Sequence, residues 1–370
     1  MLAAAAVVSL ALAGCGSSSK TGDSTGNIVQ LAITDAGCPA KLEQPAGPTT
    51  FEVTNDGADD VSEFEILDGS RVLGEVENLT PGLSGSFSLT LKPGTFTTAC
   101  PGGKTHARGE LVVSGGDAAG VTTTRAQDAA GQKAVTTYRT YVEHEAQQLV
   151  TDTTAFVHAI KAGDLERAKQ LFPNTRTHYE TIEPIAESFG DLDPEIDGRI
   201  NDVPASRFKG FHRIEQQLWE KGNLDGITPV ADELLANVKM LQRRIPATEL
   251  EPAQIANGAV ELLNEVASSK VTGEEDRYSH TDLWDFEANL EGARQAFGAL
   301  KPIVTEKDPD LAEKLETRFA STENALDQYK QGDGYVRYTD LTKVDTRKLA
   351  AEVDALADGL SKVAPLVVQS

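Results

Sequence analysis

One change in the pattern of apolar residues divides this chain of 370 residues into two parts. Up to residue 114, short apolar or alternating runs are separated by turn residues, as in β-strands joined by tight loops. From residue 128 onward, alanine, leucine, glutamate, glutamine and lysine dominate, and apolar residues recur at helical spacing. We therefore predict a multidomain chain with an all-β domain over 27–114, a linker over 115–127 and an all-α domain over 128–370.

The first domain carries several strand patterns in a short segment, which favours a Greek-key sandwich. Turn signals such as Asp68-Gly69 and Lys92-Pro93-Gly94 separate the strand patterns. A Pro-Gly-Thr-Phe stretch that precedes Cys100 and the last strand is similar to the corresponding part of cupredoxins, so we expect a cupredoxin-like fold. The predicted strands cover 28–33, 50–54, 63–67, 86–91 and 109–113.

The second domain reads as a series of helices joined by short loops, which predicts a helical bundle made of two four-helix halves. Asn174 is a candidate helix cap, and Gly190 follows the end of a predicted helix. Pro184 removes one backbone donor, so it should loosen the helix that contains it. The predicted helices cover 128–162, 164–171, 174–189, 206–220, 229–244, 251–268, 281–300, 309–330 and 345–367.

The N-terminus predicts export. Residues 1–15 are almost wholly apolar and end in Leu12-Ala13-Gly14-Cys15, a short signal segment followed by a lipobox-like cysteine. Residues 16–26 are rich in glycine, serine and threonine and are typical of a flexible tether. We therefore expect Cys15 to carry a lipid, and the mature protein to be lipid-anchored at the extracytoplasmic membrane face or periplasmic.

The charge of the chain limits its partners. Lysine and arginine number 34 against 57 aspartates and glutamates, for a net charge of −23. A nucleic-acid-binding protein neutralises phosphates with a basic surface, and this chain has too few cations to supply one. The excess of carboxylates raises the local concentration of cations and favours them as ligands.

The stretch from Gly210 to Trp219 is the sharpest chemical signal in the chain. His212 and Glu215 are three residues apart on a predicted helix, so both project from one face. An imidazole nitrogen and a carboxylate oxygen on one face make half of a metal site. The alternative is a pair that is solvated or only hydrogen-bonded, which is the commoner outcome for this spacing in an arbitrary helix.

Two other segments could complete that site. On the predicted helix over 174–189, Glu183 lies nearest the border between the polar and apolar faces, so it is the best placed to turn inward. The segment from Gly273 to Trp284 is unusually polar and aromatic, and its Asp276 and Tyr278 could cover a site built by the helices. A solvated loop is the plainer interpretation of that segment.

The cysteines of the first domain leave two interpretations open. Cys38 and Cys100 could form a disulfide, as is common in exported proteins, or bind a metal. A type 1 copper site is not expected, because His106 is the single histidine of this domain and the domain has no methionine. Glu63 and Glu65 share one side of a predicted strand, and together with Cys38, Cys100 and His106 they could form an oxygen-richer metal site.

Several longer stretches resemble the imelysin family, also classified as peptidase M75. With the lipobox and the cupredoxin-like domain, the combination is similar to the extracytoplasmic iron-binding components of bacterial Efe iron-uptake systems. The matching stretches are Gly210-Phe211-His212-Arg213-Ile214-Glu215, residues 178–187, residues 269–279 and residues 281–286.

The resemblance implies a protein that captures iron, as Fe2+ or Fe3+, and delivers it to a membrane iron permease. A haem peroxidase belongs to the same system and is an implied partner. By the same resemblance His212 and Glu215 are metal ligands, and we expect Glu183 and Asp276 to complete the set.

The family pattern also implies a second metal site in the cupredoxin-like domain, for which copper or zinc are the alternatives to iron. Cys38, Cys100 and Glu63 or Glu65 fall at its positions, whereas His106 does not belong to the pattern. The rival function is a metallopeptidase that uses the HxxE motif. A zinc peptidase normally has two histidines on one helical face. No second histidine lies within a helical turn of His212, so we expect no enzymatic activity.

Overall fold

The computed structural model describes residues 27–115, 125–200, 203–268 and 272–368. The predicted signal segment over 1–15, with its lipidation site Cys15, and the tether over 16–26 lie outside the described residues. Of the helices in the described part of the chain, none is both long and apolar enough to span a bilayer.

The first domain is a sandwich of two sheets. One sheet has the strand order β1-β3-β6 and the other β2-β8-β7-β4-β5, so several neighbours are not consecutive in sequence, as in a Greek key. The rings of Phe51, Phe64 and Phe87 meet between the sheets with centroids 5.2 to 6.3 Å apart. The strands are β1 Asn27–Ile33, β2 Lys41–Pro45, β3 Gly47–Asn55, β4 Phe64–Asp68, β5 Arg71–Val76, β6 Ser84–Leu91, β7 Gly94–Ala99 and β8 Arg108–Ser114.

The fold class is confirmed, and the structure adds three strands that the sequence pattern does not predict. β2 lies at the edge of its sheet and exposes Lys41 and Glu43, so it lacks an apolar alternation. β5 buries a charged residue, Glu75, at a position where the strand pattern calls for an apolar one. β7 consists mainly of small and hydroxyl residues.

Cys38 and Cys100 form a disulfide, with their Cα atoms 5.5 Å apart and the two residues 62 positions apart in sequence. The bridge joins the loop after β1 to the residue that follows β7. Closing a loop of this length restricts the unfolded chain and stabilises the folded domain by about 4 kcal/mol in the chain-entropy treatment.

The second domain is helical and contains the predicted two halves. In one half α1, α2, α5 and α6 pack in a ring, and in the other α7, α8, α9 and α10 do so, while α1 and α2 contact α8 across the middle. The helices are α1 Arg125–Lys161, α2 Leu165–Glu180, α3 Glu183–Glu187, α4 Asp193–Ile196, α5 Gly210–Trp219, α6 Thr228–Arg244, α7 Pro252–Ser268, α8 Asp282–Lys307, α9 Pro309–Leu326, α10 Lys343–Leu360 and α11 Val363–Val368.

Two details of the helical domain differ from the sequence-based expectation. The helices predicted over 164–171 and 174–189 have other boundaries in the structure. The first helix, α2, continues through Pro173 and ends at Glu180. Pro184 then lies in the first turn of α3, where its missing donor is not needed. A short hairpin, β9 Lys330–Gln331 and β10 Gly334–Tyr335, also interrupts the helices where none was predicted.

The two domains pack directly against each other through β3, β5 and β6 on one side and α7 and α11 on the other. The Asn257 side chain donates to the backbone oxygen of Ser88 at 3.0 Å and accepts from its nitrogen at 3.3 Å. The Gln254 side chain donates to the backbone oxygen of Leu73 at 3.1 Å. These bonds hold α7 along the sheet and fix how the domains meet.

Candidate metal centre

The start of α5 brings the HxxE motif close to the end of α4. Gly210, the first residue of α5, has a φ of 72°, and a Cβ atom there would collide with the carbonyl oxygen of Ile196. Only glycine adopts this backbone conformation without strain while allowing the approach. The contact places His212 beside Asp197, which directly follows α4.

The apolar face of α5 fixes the direction in which its polar residues point. Phe211, Ile214 and Leu218 are fully buried, as the helical spacing predicts. The Phe211 ring packs edge-on against Phe172 of α2, with centroids 6.3 Å apart. Because these contacts set the rotation of α5, His212 and Glu215 face the interior rather than the solvent.

His212 is 2% exposed and touches carboxylates on both sides of its ring. Its Nδ1 lies 3.3 Å from Glu215 Oε2. Its Nε2 lies 3.3 Å from Asp197 Oδ2 and 3.3 Å from Glu275 Oε1. The imidazole is therefore held between three acidic side chains, and its Nε2 also lies 3.3 Å from Arg176 Nη1.

Glu215 anchors the polar segment that precedes α8. Its Oε1 accepts backbone hydrogen bonds from Tyr278 at 2.8 Å and from Ser279 at 2.7 Å. The Gln216 side chain donates to the Tyr278 hydroxyl at 3.3 Å. The segment from Gly273 to Trp284 therefore lies against α5, and it carries Asp276 into the interior, where it is fully buried.

The structure brings three of the four predicted ligands together. His212, Glu215 and Asp276 each offer one ligand atom, and these atoms lie within 4.8 Å of one another. The fourth, Glu183, is 5% exposed but groups instead with Glu180 and Asp197. Glu183 turns inward as predicted, yet it belongs to a neighbouring group.

Arg176, which the sequence analysis missed, is buried among these carboxylates. Arg176 is fully buried and pairs with Glu180 and Asp197, and its Nη2 lies 3.0 Å from Glu275 Oε1. Its Nε is 3.5 Å from carboxylate oxygens of both Asp276 and Asp285. The guanidinium thus compensates part of the negative charge around His212.

The cluster holds more acceptor oxygens than donors. In the described part of the chain, Asp282 Oδ2, Asp285 Oδ2 and Asn289 Oδ1 are buried without a hydrogen bond, while Asp276 Oδ1 and Asp285 Oδ1 have only the 3.5 Å ion-pair contact with Arg176 Nε. Buried acceptors without a donor are rare and costly.

Seven buried carboxylates surround the two basic groups Arg176 and His212. They are Glu180, Asp197, Glu215, Glu275, Asp276, Asp282 and Asp285. A bound cation would balance this excess, and an imidazole with carboxylates is a donor set that suits iron.

The surroundings shift the protonation of these groups. Burial, reinforced by the nearby Glu215 carboxylate, raises the pKa of Asp276 to about 6. Burial alone would lower the pKa of His212, but the adjacent carboxylates, Asp197 above all, raise it well above its usual value. The site therefore holds protons near neutral pH that a metal would have to displace.

Of the two interpretations left open for the cysteines, the structure has the disulfide and not the metal ligands. Cys38 and Cys100 are joined to each other, so neither offers the thiolate that binds a metal. Among the described residues, no group of three close ligand atoms includes His106 or Glu65. Glu63 instead lies close to two glutamates that the sequence analysis did not single out, Glu75 and Glu77.

Comparisons with known proteins match both domains. Residues 134–363 match the imelysin family, peptidase M75, and residues 2–113 match the cupredoxin-like domain family. Over 340 residues the chain is 41% identical to the iron uptake system component EfeO of Escherichia coli strain K12, with 90% of each chain covered. The iron uptake system component EfeO of Shigella flexneri matches to the same extent.

One solved structure shares the helical fold. It is a candidate iron-regulated protein A precursor from Parabacteroides distasonis ATCC 8503, matched with a TM-score of 0.52 over 68% of this chain and 96% of that one. The two sequences are 16% identical, so this likeness shows the fold alone.

Proposed function

Because this chain, with its cupredoxin-like and imelysin domains, belongs to the EfeO family of iron uptake system components, we propose that it captures iron outside the cytoplasm and delivers it to a membrane iron permease. The cargo is Fe2+ or Fe3+. A haem peroxidase of the same system is the second proposed partner, and a lipid on Cys15 holds the protein at the membrane surface.

The observation that carries this proposal is the buried group made by His212, Glu215 and Asp276. It combines one nitrogen and two oxygen donors from two segments of the helical domain, α5 and the segment that precedes α8. Around it, Asp282 Oδ2, Asp285 Oδ2 and Asn289 Oδ1 are buried without a hydrogen bond and supply acceptor capacity that protein donors leave unused. We infer that these three residues bind the iron, with Asp197 and Glu275 close enough to join them.

The same geometry does not favour a metallopeptidase. Each group of close ligand atoms among the described residues contains at most one histidine, whereas the zinc peptidase pattern requires two. The ligands are also almost completely buried, which leaves no room for a peptide beside the metal. We therefore propose binding and delivery without hydrolysis.

Iron affinity should fall as the pH falls. The pKa of His212 is raised well above its usual value, so the imidazole holds a proton near neutral pH, and Asp276, with a pKa of about 6, gains one as the pH falls below that value; iron must displace these protons. We expect a loss of about tenfold in affinity per pH unit for each proton displaced. Calorimetric titration with Fe2+ under anaerobic conditions, in two buffers of different ionisation enthalpy, counts the protons released.

Release of at least one proton per iron near pH 7, with weaker binding at pH 5.5, would support the assignment. An affinity that is the same at both pH values, with heats that do not depend on the buffer, would show that iron does not bind through protonated ligands of this kind.

A further inference from the structure

A cleft of about 360 Å³ between the two domains is lined by carboxylates from both. The β domain contributes Glu63 and Glu77, at the ends of β4 and β5 that face the helices. The helical domain contributes the larger share of the acidic lining, namely Glu183, Glu187, Asp193, Asp197, Glu265 and Glu275. Charges of one sign that converge from two domains call for a counterion.

Glu75 lies at the centre of the glutamates beside this cleft, and it is 7% exposed. Its carboxylate is within 4.8 Å of those of Glu63 and Glu77 on one side, and of Glu187 and Glu261 on the other. Within the described part of the chain, the Glu75 side chain forms no hydrogen bond and no ion pair. A buried carboxylate without a partner is costly unless it holds a proton or binds a cation.

The basic residue in the cleft lining is Arg199, and it pairs with Glu275. Its Nη1 lies 2.6 Å from Glu275 Oε2 and 3.9 Å from Glu265 Oε1. Burial, with repulsion from neighbouring carboxylates, raises the pKa of Glu77 to about 8 although Arg199 opposes the shift, and it raises the pKa of Glu75 well above its usual value. These pKa shifts are the expected response of carboxylates that lack a cation.

We propose that Glu75, Glu187 and Glu261 form a second cation site, which exists only where the two domains meet. All three ligands are carboxylates, and an all-oxygen donor set favours hard cations such as ferric iron and also accepts the borderline ferrous ion, the two forms that the proposed function supplies. Because Glu75 lies on β5, Glu187 on α3 and Glu261 on α7, neither domain alone contains the site.

The cleft also leads to the His212 centre. Asp197 and Glu275 line its inner end and at the same time contact His212 Nε2, each at 3.3 Å. Glu183, on the cleft wall, is within 4.8 Å of Asp197 through their ligand oxygens. A series of neighbouring carboxylates therefore connects the open cleft with His212, which is 2% exposed. This route rests on the proposed function, whereas the cation site itself does not.

The test is an iron count on the full-length protein by equilibrium dialysis against Fe2+ under anaerobic conditions, followed by metal analysis. Glu75→Gln combined with Glu187→Gln replaces two carboxyl groups by amides of nearly the same volume, so the fold should persist. The matched control is Glu52→Gln with Asp354→Asn, which removes two charges from another cleft between the domains.

We expect the wild type and the control to bind one more iron per chain than the Glu75→Gln, Glu187→Gln variant. The iron that this variant retains should be lost on adding His212→Ala. An unchanged iron count in the Glu75→Gln, Glu187→Gln variant would overturn the second site. A count that falls in this variant but is insensitive to His212→Ala would leave the second site standing and instead contradict the proposed role of His212.

Discussion

Replacing His212 by alanine is expected to weaken iron binding at the buried centre by about a hundredfold or more. His212 supplies the one nitrogen donor of the group that it forms with Glu215 and Asp276. Loss of residues that merely orient metal ligands already lowers affinity by about 10- to 100-fold, so loss of a ligand should reach at least the upper end. Competition with a chromogenic iron chelator at pH 7.5 measures the change.

The matched control is His144→Ala, which removes an exposed histidine from α1. It should leave iron affinity and stoichiometry unchanged. Thermal unfolding of both variants separates a loss of ligand from a loss of fold. If His212→Ala folds and still binds iron as tightly as the wild type, the assignment of this residue is wrong.

The largest effect on stability is expected for Arg176→Met. The guanidinium is fully buried and pairs with Glu180, Asp197 and Glu275, so its removal leaves several buried carboxylates without a counter-charge. Breaking a buried ion pair from one side typically destabilises a protein by about 3–5 kcal/mol. Methionine keeps most of the volume, so the change reports chiefly on charge.

The destabilisation should depend on pH. Carboxylates that lose Arg176 have a higher pKa in the folded state than in the unfolded chain, so their repulsion is relieved as the pH falls and they take up protons. Urea unfolding at pH 7.5 and pH 5.5 should show the larger loss at pH 7.5. Arg213→Met, which removes a partly exposed arginine bonded to Gln217 at 3.1 Å, should change the stability by less than about 1 kcal/mol. A stability for Arg176→Met equal to that of Arg213→Met would contradict the structural role of Arg176.

The sequence was sufficient to predict the two domains and three members of the buried group. Helical phase placed His212 and Glu215 on one face, and the unusual polarity of the segment around Asp276 marked it as a covering element. These signals are local, because each depends on residues within a few turns of one another. The cupredoxin-like sandwich was predicted for the same reason, since several of its strands alternate clearly.

The remainder of the site depends on contacts between distant segments. Arg176 and Glu275 are 99 positions apart, and no periodicity connects them. Asp197 belongs to a short turn after α4 that carries no motif. Glu75 lies in β5, where a charged residue at a buried position breaks the apolar alternation by which a strand is recognised. The cysteines could have been ligands or a disulfide, and only the distance between them in the fold decides the question.

The most direct test of the central claim is anomalous diffraction at the iron edge from crystals of the full-length protein loaded with iron. We predict a peak within bonding distance of His212 Nδ1 or Nε2 and of carboxylate oxygens of Glu215 and Asp276. Iron that occupies other positions, with no peak between these three residues, would contradict the account.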